Sequence, residues 1–365
     1  MISEQIDGVL EKRRRILPSI QKVASNIRAA YAAIQKLQAY QADAKMLPEE
    51  IGSRIAAIST TEYDKKHERV LCELNRLEER FSRPEIRLCL VGRARQGKSL
   101  LLQKISGLDG SVIPSSEGSH CTGARSVIYN SPKSEVEAEI EFYTETEYAD
   151  IVNTYMQEIF GPTSEKVHSA DDIRRIDLIK LKSEVPFDKM LKYDHFAKLV
   201  AHIDEYRAKF GKQITVPKEA IESHVAQYSS EDSHRKYYTY LAVRGARIHA
   251  KFPYEDCGKI VLVDTIGTGD TSLGIEEALL DTVRDSDATI LLVRPDAMVN
   301  VVYNEEFELV NSIARELTPE YASEMLFWLL NRVEAGDGRN VKRVGEVLST
   351  LSQQELPVAP RQTHE

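Results

Sequence analysis

The chain has 365 residues, more than the ~100 to 200 usual for one domain, so at least two structural units are expected. It is 42% hydrophobic and 29% charged, an ordinary globular composition, and no apolar run approaches the ~20 residues a membrane-spanning helix needs. The formal net charge of −9 argues against broad nucleic-acid binding, which needs clustered positive charge, and no nucleic-acid partner is expected.

Met1 leads into polar Ser3, Glu4, Gln5 and Asp7 with no apolar core behind them, so a secretory leader is not expected and a cytoplasmic chain is. Cys72, Cys89, Cys121 and Cys257 lack the paired spacing of a zinc site or a disulfide framework and read as free thiols. The consecutive basic residues Lys12, Arg13, Arg14 and Arg15 read as a solvated helix face, with an anionic lipid or acidic partner as the lesser alternative.

Apolar residues then recur at Ile16, Ile20, Val23, Ile27, Tyr31, Ile34 and Leu37, steps of three and four that predict a long amphipathic helix. A second helical stretch follows Pro48, carrying Ile51, Ile55, Ile58, Val70, Leu71, Leu74 and Leu77, and stops at Ser82 and Pro84. The two stripes need a partner: they pair as an antiparallel hairpin, with Pro18 bending the first, or pack against a later part of the chain.

The pattern changes after Pro84. Ile86 to Val91 is a short, nearly all-apolar run, as in a strand covered on both faces, which puts a domain boundary near Arg83. Further such runs at 259–263, 288–293 and 325–330 alternate with helical or loop segments, with additional strands expected at 126–129, 136–142 and 246–252. The expected fold is therefore α/β, a doubly wound, mostly parallel sheet. Residues 143–240 are polar and largely helical and read as an insertion that forms its own small helical subdomain. The predicted organisation is an N-terminal helical segment at 1–83, a first part of the α/β domain at 84–142, the insertion at 143–240, and a second part at 241–365.

The strongest motif is Gly92-Arg93-Ala94-Arg95-Gln96-Gly97-Lys98-Ser99, a G-x-x-x-x-G-K-[ST] match directly after a predicted strand and before the helical segment that starts at Leu100. Such a loop turns its backbone amides toward phosphate oxygens at a helix N-terminus. Lys98 then reaches the β- and γ-phosphates, and Ser99 offers its hydroxyl to Mg²⁺. The strand at 261–263 runs into Asp264-Thr265-Ile266-Gly267, a D-x-x-G segment whose aspartate suits a magnesium-bound water and whose Gly267 amide suits the γ-phosphate. Between the two lies the polar loop 116–123, where Thr122 is the preferred magnesium-binding threonine, Ser119 and Ser126 are the fallbacks, and His120 reads as a loop residue.

A threonine in a polar loop after Pro114, between a P-loop and the next strand, resembles the switch region of dynamin-superfamily GTPases. Asn331-Arg332-Val333-Glu334 is positioned like the N-K-x-D base-recognition segment of many GTPases, with Arg332 and Glu334 as departures from it. Arg95 stands where guanylate-binding proteins and atlastins, two groups within that superfamily, carry an arginine finger acting in cis. The alternative for Arg95 is a solvated loop arginine or a partner of a switch acid. Many small GTPases place a glutamine after D-x-x-G, whereas this chain has Thr268 there.

The resemblance implies a dynamin-like GTPase that uses GTP and Mg²⁺, with Arg95, Lys98 and Thr122 in catalysis. It implies nucleotide binding by Gly92, Arg95, Gln96, Gly97, Lys98, Ser99, Leu100, Asp264, Gly267, Asn331, Arg332 and Glu334, and metal binding by Ser99, Thr122 and Asp264. It also implies a nucleotide-dependent homodimer or oligomer, and peripheral membrane contact through parts outside this chain. A nucleotide-gated scaffold that hardly hydrolyses and a P-loop ATPase stay open beside it. A domain of this type needs a further strand and a closing helix after Glu334. Leu356 to Val358 begins that strand, or the chain is truncated, or the N-terminal helices complete the fold.

Overall fold

The computed structural model describes residues 2–42, 48–56, 61–93, 96–115, 122–133, 135–162, 164–229, 234–254, 257–267, 275–293, 311–312 and 324–331. The expectations for Arg95, Ser119, His120, Cys121, Thr268, Arg332, Glu334 and residues 356–358 lie outside them. The chain divides into two compact units, residues 1–86 and 87–365.

In the first unit, helix α1 spans Ile2–Ala42, α2 Glu49–Ala56 and α3 Thr61–Ser82. At 41 residues, α1 is about 60 Å long. Gln21 meets Glu78 at 3.0 Å, Arg28 meets Asn75 at 2.6 Å and Tyr31 meets Asp64 at 2.9 Å. As the numbers rise along α1 they fall along α3, so the two form the antiparallel hairpin. Pro18 lies inside the continuous α1. The inward stripe follows the periodicity in part: Ile20, Ile27, Tyr31 and Ile34 are half-buried and Ile6, Leu10 and Ala24 buried, while Ile16 and Val23 are about half exposed. The four-residue basic cluster also divides. Arg13 turns inward, its guanidinium 5.8 Å from the Phe81 ring centroid, while Arg14 and Arg15 stay exposed beside Glu11.

The second unit begins with β1 at Ile86–Val91, followed by α4 at Lys98–Ser106, β2 at Ser126–Asn130 and β3 at Glu137–Phe142. The 143–240 segment then supplies α5 at Glu145–Phe160, α6 at Ala170–Arg174, α7 at Leu178–Lys182, α8 at Met190–Ala201, α9 at Ile203–Tyr206, β4 at Gln213–Pro217 and α10 at Lys218–Val225. After it come β5 at Val243–Ala250, β6 at Ile260–Asp264, α11 at Ile275–Asp285, β7 at Ala288–Val293 and β8 at Leu326–Leu330. These strands form one eight-stranded sheet in the order β4-β3-β5-β2-β6-β1-β7-β8, so the α/β expectation holds.

Strand β1 shows why its sequence is apolar throughout. Leu88 and Leu90 pack into the larger hydrophobic cluster while Cys89 and Val91 pack into the second, so alternate residues are buried on opposite faces of the sheet. The Cys89 thiol is so enclosed that burial pushes its pKa up to about 12. Strands β1, β7 and β8 run parallel to one another.

On the other side of the sheet β3 lies antiparallel to both β4 and β5. Here Ala138, Ile140 and Phe142 enter the larger cluster, while Glu139 and Glu141 on the opposite face meet Arg247 and Arg244 of β5 at 3.6 and 3.4 Å. The 143–240 segment is joined to this side: β4 is its edge strand, and Tyr148, Val152, Phe196 and Ile221 belong to the same buried cluster as Leu90 and Ile140. The sequence reading of a separate helical body missed β4, whose five residues, flanked by charged segments, carry too weak an alternation to stand out.

Candidate functional site

Strand β1 ends at Val91, and the chain must then turn sharply to enter α4. At Gly92 a Cβ atom would sit 2.6 Å from the Gln96 Oε1 and still closer to the Leu292 carbonyl oxygen, so no side chain fits. Gly97, the residue that caps α4, takes φ 94° and ψ 21°, a left-handed conformation that glycine adopts without strain. The two glycines of the motif are therefore required by backbone geometry, independently of any ligand. Gln96 steadies the turn, its buried amide oxygen accepting the Arg93 N–H at 2.8 Å.

The Lys98 side chain folds back over the loop, and its Nζ donates to the carbonyls of Gly92 at 2.9 Å and Arg93 at 3.0 Å. The residue is only 6% exposed. Loss of hydration lowers the ammonium pKa to about 8, with the Asp264 carboxylate pulling the other way. The displacement corresponds to about 3 kcal/mol against the cation, which a polyanion beside it would offset.

Asp264 ends β6, the neighbour of β1, and burial raises its pKa although Lys98, Ser99 and Thr122 all favour its ionised form. Its Oδ2 accepts from Ser99 Oγ at 3.0 Å and from Thr122 Oγ1 at 3.1 Å, and the two hydroxyls lie 3.1 Å apart. Its second oxygen, Oδ1, is buried without a hydrogen-bond partner. Two hydroxyls and a carboxylate with a spare buried oxygen make a small, hard, all-oxygen donor set of the type that suits Mg²⁺, and the residues present fit that ion. Thr265 Oγ1 donates to the Leu90 carbonyl at 2.7 Å, tying the end of β6 to β1.

The structure brings together Gly92, Gln96, Gly97, Lys98, Ser99, Thr122 and Asp264 at one end of β1 and β6. Of the fallbacks, Ser126 stands beside Asp264 in the strand register, but its hydroxyl turns to the Ala124 carbonyl at 3.5 Å and stays out of the cluster. Leu100 lies in the first turn of α4 with its side chain half exposed. Gly267 is buried three residues beyond Asp264.

Asn331 follows β8, its N–H donating to the Val293 carbonyl and its Nδ2 to the Gln96 carbonyl, both at 2.8 Å. The sequence offered Asn331 for base recognition alone. In the structure its amide is a brace that fixes the backbone of the glycine-built turn from 235 residues away. A long-range contact of this kind leaves no periodicity to read.

No family model and no curated protein matches this chain. Solved structures described as an oligomerised bacterial dynamin pair, with a mechanism for long-range sensing and tethering of membranes, resemble it at 15% identity with TM-scores of 0.45 and 0.43. These alignments cover 92% and 93% of this chain and 44% of each matched chain, so the present chain spans under half of their length. At that identity and superposition the likeness carries no functional inference. Among the described residues, no helix is long and apolar enough to cross a membrane.

Proposed function

We propose that this chain binds GTP with Mg²⁺ and hydrolyses it to GDP and phosphate in the manner of a dynamin-like GTPase, with turnover coupled to self-association. The observation that carries the reading is the convergence of Ser99 and Thr122, 23 residues apart, on one buried carboxylate next to a buried lysine at a glycine-built turn.

In this reading the amides of residues 92–100 and the Lys98 ammonium bind the phosphates and neutralise their charge. Ser99, Thr122 and Asp264 would hold Mg²⁺, which when bound would supply further neutralisation of the phosphate charge. The Gly267 amide is directed to the γ-phosphate. Arg95 supplies positive charge where negative charge develops during bond cleavage, a role typically worth about 1,000-fold or more in rate. Asn331, Arg332 and Glu334 would recognise the base, the glutamate accepting from guanine N1 and N2 in place of the usual aspartate.

Phosphate release measured with GTP and with ATP, on the intact chain and on Arg95→Ala, tests the proposal. The expected result is GTP turnover that falls about 1,000-fold in the variant while nucleotide binding is retained. Binding without turnover in the intact chain would instead make it a nucleotide-gated scaffold, and equal use of ATP a general P-loop ATPase. Self-association predicts that turnover per molecule rises with protein concentration, and a flat dependence would remove that part of the proposal.

A further inference from the structure

Thr122 is the one member of the hydroxyl pair that no regular element carries. Ser99 is placed by the first turn of α4, and Asp264 by the end of β6. Thr122 lies outside any helix or strand and makes a single antiparallel bridge, to Ala226 just beyond α10.

The next two residues are held from the same place. The N–H groups of Gly123 and Ala124 both donate to the Val225 carbonyl, at 2.8 and 3.1 Å. Ala226 in turn donates to Glu222 in the last turn of α10, so this anchor continues the helix. From Ala226 the chain runs out and back through the Tyr228–Lys236 bridge and the Tyr237 to Gln227 hydrogen bond. It returns in a short helical turn at Thr239–Ala242 whose Tyr240 is buried against the same loop. A Cβ placed on Gly123 would lie 2.5 Å from both Cγ and Cδ2 of Tyr240, and 2.9 Å from its Cβ. The threonine loop is thus held by a carbonyl and closely packed by an aromatic ring, both supplied by the end of the 143–240 segment.

We propose that Val225 and Tyr240 form the seat that positions the Thr122 hydroxyl against Ser99 and Asp264, so that the 143–240 segment sets the magnesium-dependent part of nucleotide affinity. The inference rests on the nucleotide reading above and adds Tyr240 to it as a positioning residue, in touch with neither nucleotide nor metal. Glycine is needed at 123 because the ring passes where a side chain would be, and a methyl group there displaces Thr122 from its partners.

A fluorescent GTP analogue titrated against the full chain, once with Mg²⁺ and once with EDTA, reads the two contributions apart. The intact chain binds more tightly with Mg²⁺. Gly123→Ala loses most of that gain, about tenfold in affinity, and binds within about twofold of the intact chain in EDTA. Tyr240→Ala, which takes the ring out of the seat, likewise loses much of the magnesium gain while binding within about twofold in EDTA, and Tyr240→Phe, which keeps the ring, retains it, a pattern that general destabilisation would not give. Retention of the full gain by Gly123→Ala or by Tyr240→Ala, an equal loss with and without Mg²⁺, or a Tyr240→Phe that loses as much as Tyr240→Ala overturns the proposal. An intact chain that binds the analogue but gains nothing from Mg²⁺ overturns it as well while leaving the phosphate loop in place. An intact chain that binds no nucleotide in either condition overturns the GTPase reading itself.

Discussion

The two sides of the sheet are built on different plans. Around β1 and β7 the strands are parallel and buried on both faces, with Leu90 and Val91 entering separate cores, and the parallel edge strand β8 leaves Phe327 and Leu329 exposed. Around β3 only one face is covered; the other carries the glutamate and arginine pairs that meet across β3 and β5. A doubly covered strand has no freedom to shift without exposing apolar area at about 25 cal/mol per Å², whereas a singly covered one is tied on one side alone. The phosphate loop hangs from the first side and Thr122 from the second. One plan therefore supplies the fixed floor of the site, and the other supplies a hydroxyl held by residues a hundred positions further on.

The sharpest break is predicted at the floor. Lys98→Ala removes the buried ammonium, and nucleotide affinity should fall about 100-fold, roughly 3 kcal/mol, equally with Mg²⁺ and with EDTA. Trp328, the only tryptophan and three residues before Asn331, offers an intrinsic fluorescence signal for that titration. Asp264→Asn keeps the shape but removes the charge that the two hydroxyls share, so about 30-fold should be lost with Mg²⁺ and little with EDTA. A loss that is the same in both conditions would erase the distinction between the two sides.

The pH dependence sharpens the comparison further. Burial holds the free Lys98 near pKa 8, so the ammonium is present below that pH and lost above it. A bound polyanion needs the charged form, and affinity measured in EDTA should therefore be full at pH 7 and about tenfold weaker at pH 9. Lys98→Ala should flatten that slope. The smallest effect is expected for Asn331→Ala, which removes one hydrogen bond to the Gln96 carbonyl and should cost about 1 kcal/mol, or fivefold, in the EDTA affinity for inorganic triphosphate, a ligand with no base for Asn331 to meet. An unchanged affinity in EDTA would leave Asn331 no role as a brace.

The residues tell in advance which parts of this molecule could be read from them. Strands β1 and β7 appear in the sequence with their boundaries because both faces are apolar, and the phosphate loop because its glycines, lysine and serine act on backbone within eight residues of one another. The alternation of β3 was legible for the same local reason. β4 was not, because an edge strand of five residues gains its identity from Ala138 and Ile140 alongside it. Arg13 looked like a solvated charge until Phe81 of the other helix came to lie beneath it.

The sequence alone determined that a glycine turn, a lysine, a serine and a strand-ending aspartate exist in this chain at the spacing phosphate binding requires. Only the tertiary structure decided that Thr122, rather than Ser126, joins them, that Asn331 braces the loop, and that Tyr240 presses on Gly123. Hydrophobic periodicity and turn chemistry act over a few residues and are written locally, whereas a hydrogen bond across 142 residues depends on how every strand between them is paired.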